Sequence, residues 1–157
     1  MEGISFGHTY KENKIVLTID YADPHHPEIT TLLRQSHKMM RGLYETHQDH
    51  SLSIDDLCHK DVRLLGAKIK DAYIGCAALA LREGYGEIKS MFADPNNRGK
   101  GIGKALIDAL EDEAIKHDLF YLKLETGALL KEAVGLYARL GFEVCGPFGD
   151  YSADGIS

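Results

Sequence analysis

Residues 84 to 117 limit most tightly what this chain can fold into. Tyr85 to Phe92 places aromatic and β-branched residues in near alternation, which predicts a strand with one buried and one working face. Asp94-Pro95-Asn96-Asn97 is a turn cluster. Arg98-Gly99-Lys100-Gly101-Ile102-Gly103-Lys104 follows, and from Ile102 the apolar residues Leu106, Ala109, Leu110 and Ala114 fall at helical spacing. A glycine-rich turn therefore opens a helix from about Gly101 to His117.

The first turn of a helix leaves backbone N–H groups without intrahelical acceptors, and the macrodipole adds partial positive charge there. Gly99, Gly101 and Gly103 clear side chains from the approach, while Arg98, Lys100 and Lys104 surround it with full charges. The expected guest is a phosphate or pyrophosphate. A Walker loop would need Ser or Thr after its lysine, and Lys104 precedes Ala105. A dinucleotide fingerprint would need the third glycine three positions after the second, near the start of a βαβ series. The spacing here is Gly-x-Gly-x-Gly, which leaves Arg-x-x-Gly-x-Gly at Arg98, Gly101 and Gly103.

That segment resembles the acetyl-CoA-binding motif of the GNAT superfamily of N-acetyltransferases. A second mark lies downstream, where Ala133, Leu136, Tyr137, Gly141 and Phe142 are similar to the family's A-x-x-L-Y-x-x-x-G-F. The resemblance covers roughly residues 15 to 150 and is strongest from 84 to 143. It implies an α/β fold with a mixed, mostly antiparallel central sheet flanked by helices, the acyl-CoA N-acyltransferase fold.

The rest of the chain fits one domain over residues 1–157, with 1–13 as a flexible arm. Ile15 to Asp20 reads as a first strand, and Ile29, Leu32, Leu33, Met40 and Leu43 mark an amphipathic helix. Asp55-Asp56-Leu57 belongs to a short helix. Val62 to Ile69 and Ala72 to Arg82 form a hairpin across Lys70-Asp71, with a bulge or close packing at Gly75. A strand at Tyr121 to Leu124, parallel to the Tyr85 strand, precedes a helix from about Leu130 to Leu140 and a strand from Phe142 to Cys145.

The formal net charge of −6 argues against a generic nucleic-acid or anionic-membrane binder. No apolar run has the length of a membrane span and the N-terminus lacks a signal-peptide pattern, so the expected location is cytoplasmic. The three cysteines Cys58, Cys76 and Cys145 are too scattered for a disulfide framework or zinc site, and Cys76 and Cys145 are expected in strands as small hydrophobes. His25, His26, His47 and His50 complete no ligand set, so no metal is expected.

The resemblance also implies a reaction: an acetyl group moves from acetyl-CoA, the co-substrate, to a primary amine by direct attack. In the family two parallel strands splay and the pantetheine arm lies between them. Met91, Phe92 and Ala93 would meet it here, and the amides of Gly99 to Lys104 would hold the pyrophosphate. Glu87 is the candidate base for the amine, or alternatively a cross-strand partner of Lys89 or another cation. Tyr137 matches the family's tyrosine that protonates the departing thiolate. Loop 44–51 is the candidate selectivity wall.

Two departures from the family pattern stand out. Leu130 occupies the place of a cofactor-contacting Asn, and the usual final apolar strand after Tyr151 is missing. A non-catalytic acyl-CoA-binding module, or a weakly active truncated relative, is the alternative. The acceptor is a small-molecule or peptide amine, with the acidic balance favouring a cationic one. A homodimer is left open as the commonest closed assembly.

Overall fold

The computed structural model describes residues 3–6, 16–43, 53–97, 99–125, 131–146 and 148. The elements are β1 (Leu17–Tyr21), α1 (Pro27–Leu43), α2 (Ile54–Leu57), β2 (Val62–Ile69), β3 (Ala72–Leu81), β4 (Gly86–Ala93), α3 (Ile102–Lys116), β5 (Leu122–Lys123) and α4 (Lys131–Arg139). A single 3-10 turn, Pro95–Asn97, links β4 to the glycine loop. The sheet order is β1-β2-β3-β4-β5, antiparallel except where β4 meets β5.

The β2–β3 hairpin closes through Lys70 and Asp71, both left-handed with φ of 51° and 65°. Two left-handed residues match the right-handed twist of the strands they join. Alternation along the strands then serves two cores. Leu65, Ala77, Leu79 and Ile88 face α3, where Ile102, Leu106, Ile107 and Leu110 cover them. Leu64, Cys76, Ala78 and Phe92 face Ile29, Leu32 and Leu33 of α1 and Leu57 of α2. Strand β3 is buried on both faces because it lies mid-sheet between two helical layers.

The expectation at Gly75 holds twice over. Ile74 is the extra residue where the β2–β3 register slips, and a Cβ on Gly75 would lie 2.9 Å from Ile102 Cγ2. The start of α3 is thus seated directly on β3.

One expected element does not form. Residues 142–145 make no strand, and Glu143, Val144 and Cys145 are exposed, so Cys145 is not a strand hydrophobe. The physical reason lies at the end of α4. Gly141, with φ of 92°, reverses the chain, and Phe142 N–H returns to Tyr137 O at 3.0 Å. The edge strand β5 has only two residues, and residues 142–145 make no pairing with it. No strand follows β5 among the described residues. Likewise, no helix among them is long and apolar enough to cross a membrane.

Candidate active site

Strand β4 organises the site because its two edges behave differently. On one edge it pairs with β3 from Gly75↔Ala93 to Leu81↔Gly86. On the other it meets β5 at two rungs only, Gly86↔Leu122 and Glu87↔Lys123, with Gly86 N–H on Tyr121 O at 2.9 Å. Beyond those rungs β4 runs on to Ala93 without β5. The splay expected from the sequence is therefore present, and Met91, Phe92 and Ala93 lie along its open stretch.

A bulge sits inside that stretch. Ser90 and Met91 together oppose Ala77, and Ser90 adopts φ of 52°. An extra residue re-aims the side chains that follow it. Ile88 and Met91 consequently both pack on the α3 side, while Phe92 returns to the α1 side. The Ser90 hydroxyl is buried without a hydrogen-bond partner. Cys76 Sγ lies 3.6 Å from Ser90 O, and burial pushes that thiol up to about 12, so it stays protonated and inert.

Beyond β4, Asp94 builds the approach to the loop. Its carboxylate accepts from Asn96 N–H at 3.0 Å and from Asn97 Nδ2 at 3.3 Å. Gly99 and Gly101 have φ of 79° and 73°, and each looks into open space. Gly101 is the N-cap of α3 and brings no capping side chain. The first helical bond runs from Ala105 N–H to Gly101 O at 3.0 Å, which leaves the amides of Ile102, Gly103 and Lys104 ahead of the helical ladder.

Gly103 has a different reason for being glycine. A Cβ there would lie 2.7 Å from Leu136 of α4 and 3.6 Å from Met91 Cε. It lets α3 and α4 approach each other beside β4. The flanking cations are restrained by neighbours: Lys100 Nζ donates to Asn97 Oδ1 at 2.8 Å and Lys104 Nζ to Asp108 Oδ2 at 2.8 Å. The hydrogen bond to Asp108 raises the Lys104 pKa, which keeps that ammonium a charged point beside the loop. Arg98, loop 44–51 and Leu130 lie outside the described residues.

Tyr137 reaches the same place from α4. Its hydroxyl donates to Met91 Sδ at 3.4 Å, and burial pushes the phenol up to about 12. It is therefore a protonated donor at neutral pH, held against a weak sulfur acceptor.

Glu87 stands on the other face of β4. Its side chain is 3% exposed, with Oε1 bound by Arg82 Nη2 at 3.0 Å and Nε at 3.1 Å, and with Lys89 Nζ 3.8 Å from Oε2. Arg82 is the partner the sequence reading did not name. The signal for it was the β3–β4 turn, where Gly84 at φ of 83° brings Arg82 N–H onto Tyr85 O at 3.0 Å. Among the described residues, no group of three or more His, Cys, Asp and Glu side chains could hold a metal.

The model of the acetyltransferase (GNAT) family matches residues 26–142. An IAA acetyltransferase of Azospirillum brasilense is 36% identical over 143 residues, which span 90% of this chain and 94% of that one. Among solved structures, one from Klebsiella pneumoniae assigned to the acyl-CoA N-acyltransferases superposes with a TM-score of 0.73 at 30% identity, covering 88% of this chain and 90% of that one. The PaiA N-acetyltransferase of Thermoplasma acidophilum, solved with coenzyme A, has the same fold with a TM-score of 0.69 at 18% identity, covering 90% and 96%.

Proposed function

The chain belongs to the GNAT family of acetyltransferases, and from that premise we propose that it transfers an acetyl group from acetyl-CoA to a primary amine by direct attack. The observation that carries this reading is the release of β4 from β5 just before the Ser90–Met91 bulge, with Tyr137 on Met91 and a glycine-capped helix beyond. The coenzyme A in the Thermoplasma structure supports it from outside.

The pyrophosphate would rest on the N–H groups of Gly99 to Lys104, with Lys100, Lys104 and Arg98 around it. The pantetheine would extend along Met91, Phe92 and Ala93, and a backbone N–H at the bulge would face the thioester oxygen. Such a donor lowers the barrier by roughly 3 to 4 kcal/mol. The amine nitrogen attacks the carbonyl carbon, the new C–N bond forms and the C–S bond breaks. The leaving sulfur takes the Tyr137 proton.

The amine must also lose a proton. Glu87 lies on the face of β4 opposite Ile88, with Lys89 Nζ 3.8 Å from its Oε2. We assign it the base role through a water, with Arg82 fixing the carboxylate on its other oxygen. The competing module that binds acyl-CoA without chemistry predicts a different outcome. Titration with acetyl-CoA raises the melting midpoint under both readings, but only the enzyme releases free thiol when amines are added. Absence of a shift with acetyl-CoA or coenzyme A would overturn the cofactor assignment.

A further inference from the structure

Leu122 packs with the core under α3, so its neighbour Lys123 points to the opposite face of the sheet, in register with Glu87. That is the side from which the acceptor comes in the reading above, on which this inference rests. Lys123 Nζ lies 4.7 Å from the centre of the Tyr85 ring and 5.6 Å from that of Phe148, and those two rings meet edge to face at 5.7 Å. Lys123 is half-buried, and among the described residues no carboxylate forms an ion pair with it.

The natural counter-ion would be Glu87. That carboxylate is already engaged by Arg82 and Lys89. A half-buried ammonium supported by aromatic faces keeps a strong attraction for an anion, because ring quadrupoles do not cancel its charge. A local positive centre thus stands on the acceptor side of a chain whose net charge is −6.

We propose that the acceptor is an amine that also carries a carboxylate and a ring-sized apolar body, with Lys123 taking the carboxylate and Tyr85 and Phe148 flanking the body. This replaces net charge with local charge as the guide to substrate, and it favours an anionic acceptor over a polycation.

Two probes of matched size isolate the charge: 3-phenylpropionate and phenethylamine, titrated into the full chain with coenzyme A present and read by NMR or calorimetry. The expected result is tighter binding of 3-phenylpropionate, weakened at least 10-fold in Lys123→Met and restored in Lys123→Arg. Turnover with tyrosine is likewise expected to exceed that with tyramine, and Lys123→Met to erase the difference through the acceptor KM. The proposal is overturned if phenethylamine binds as well, or if Lys123→Met leaves the 3-phenylpropionate Kd unchanged. It also falls if Lys123→Met instead raises the KM for acetyl-CoA, since the lysine would then serve the co-substrate phosphates. Failure of acetyl-CoA to bind in a parallel titration would sink the enzymatic reading and leave the two probe affinities to judge the anion site alone.

Discussion

Phe142 holds Tyr137 at two points: its N–H bonds to the Tyr137 carbonyl at 3.0 Å, and the two rings pack edge to face with centroids 5.6 Å apart. This is the hydrophobic contact that accompanies a left-handed helix end, placed so that it also braces the phenol. Phe142→Ala is expected to cost about 1 to 3 kcal/mol, below a fully buried Phe because this ring is half-buried, and to lower kcat several-fold. Thermal melts beside kcat at saturating acetyl-CoA check it; an unchanged kcat would show that Tyr137 needs no such brace.

Tyr137→Phe removes the donor and leaves the ring. A fall in kcat of roughly 10² or more is expected, with little change in the KM for acetyl-CoA. Burial pushes the folded pKa up to about 12 from the usual phenol value of 10.0, so the protonated phenol is the form that folding favours. The stability tied to it is complete below pH 10 and disappears as pH rises towards 12. Alkaline unfolding of the wild type should therefore show a loss in that window that Tyr137→Phe lacks.

Glu87→Gln keeps the shape of the carboxylate and removes its basicity. With Glu87 as the base, kcat/KM drops by roughly 10² while the KM for acetyl-CoA changes little. A Glu87→Gln enzyme that loses stability but keeps its kcat/KM would confine the residue to its ion pairs with Arg82 and Lys89.

Gly101→Ala and Gly103→Ala separate the two uses of glycine in the loop. Gly101 is left-handed with open space around it, so Ala there costs about 1 kcal/mol through backbone strain and weakens acetyl-CoA binding by misplacing the first amides of α3. Ala at Gly103 meets Leu136 and strains the α3–α4 contact. Paired measurements of melting midpoint and acetyl-CoA Kd distinguish these two effects.

Away from the site, Tyr21 donates to Glu113 Oε2 at 2.6 Å and ties β1 to the end of α3. Burial alone would raise the Glu113 pKa, but the Tyr21 hydrogen bond with Lys116 and His117 leaves it lowered from 4.5. A depressed carboxylate stabilises above its unfolded pKa and loses that contribution as pH falls. Tyr21→Phe should cost roughly 1 to 2 kcal/mol at pH 7, with the gap to wild type closing in acid below about pH 4. Urea melts at the two pH values measure it.

Much of this was legible in the sequence because the signals were local. Val62 to Ile69 matches β2 residue for residue, since an apolar-rich run and a two-residue turn fix both register and ends. The order of Glu87, Met91, the glycine loop and Tyr137 along β4, α3 and α4 was equally readable. What escaped depended on contacts made across the fold. Residues 142–145 carry strand-forming residues but pair with no strand among the described residues, and Gly141 folds Phe142 back onto α4. Gly103 reads like its neighbours until Leu136 is brought against it. Arg82 becomes the partner of Glu87 only once the β3–β4 turn is closed. Local charge at Lys123 likewise could not be seen in a net total of −6.

Two rungs join β4 to β5, and past them the strands form a wedge that is pinned at one end only. The spacing of the helices behind its open end is set by how closely Leu136 sits on Gly103, beside Met91. A methyl group at that glycine acts as a shim: the added carbon would push Leu136 away, spread α3 from α4 and loosen the wall of the wedge. The room between α3 and α4 beside Met91 is thereby open to adjustment from a position that contributes no side chain of its own.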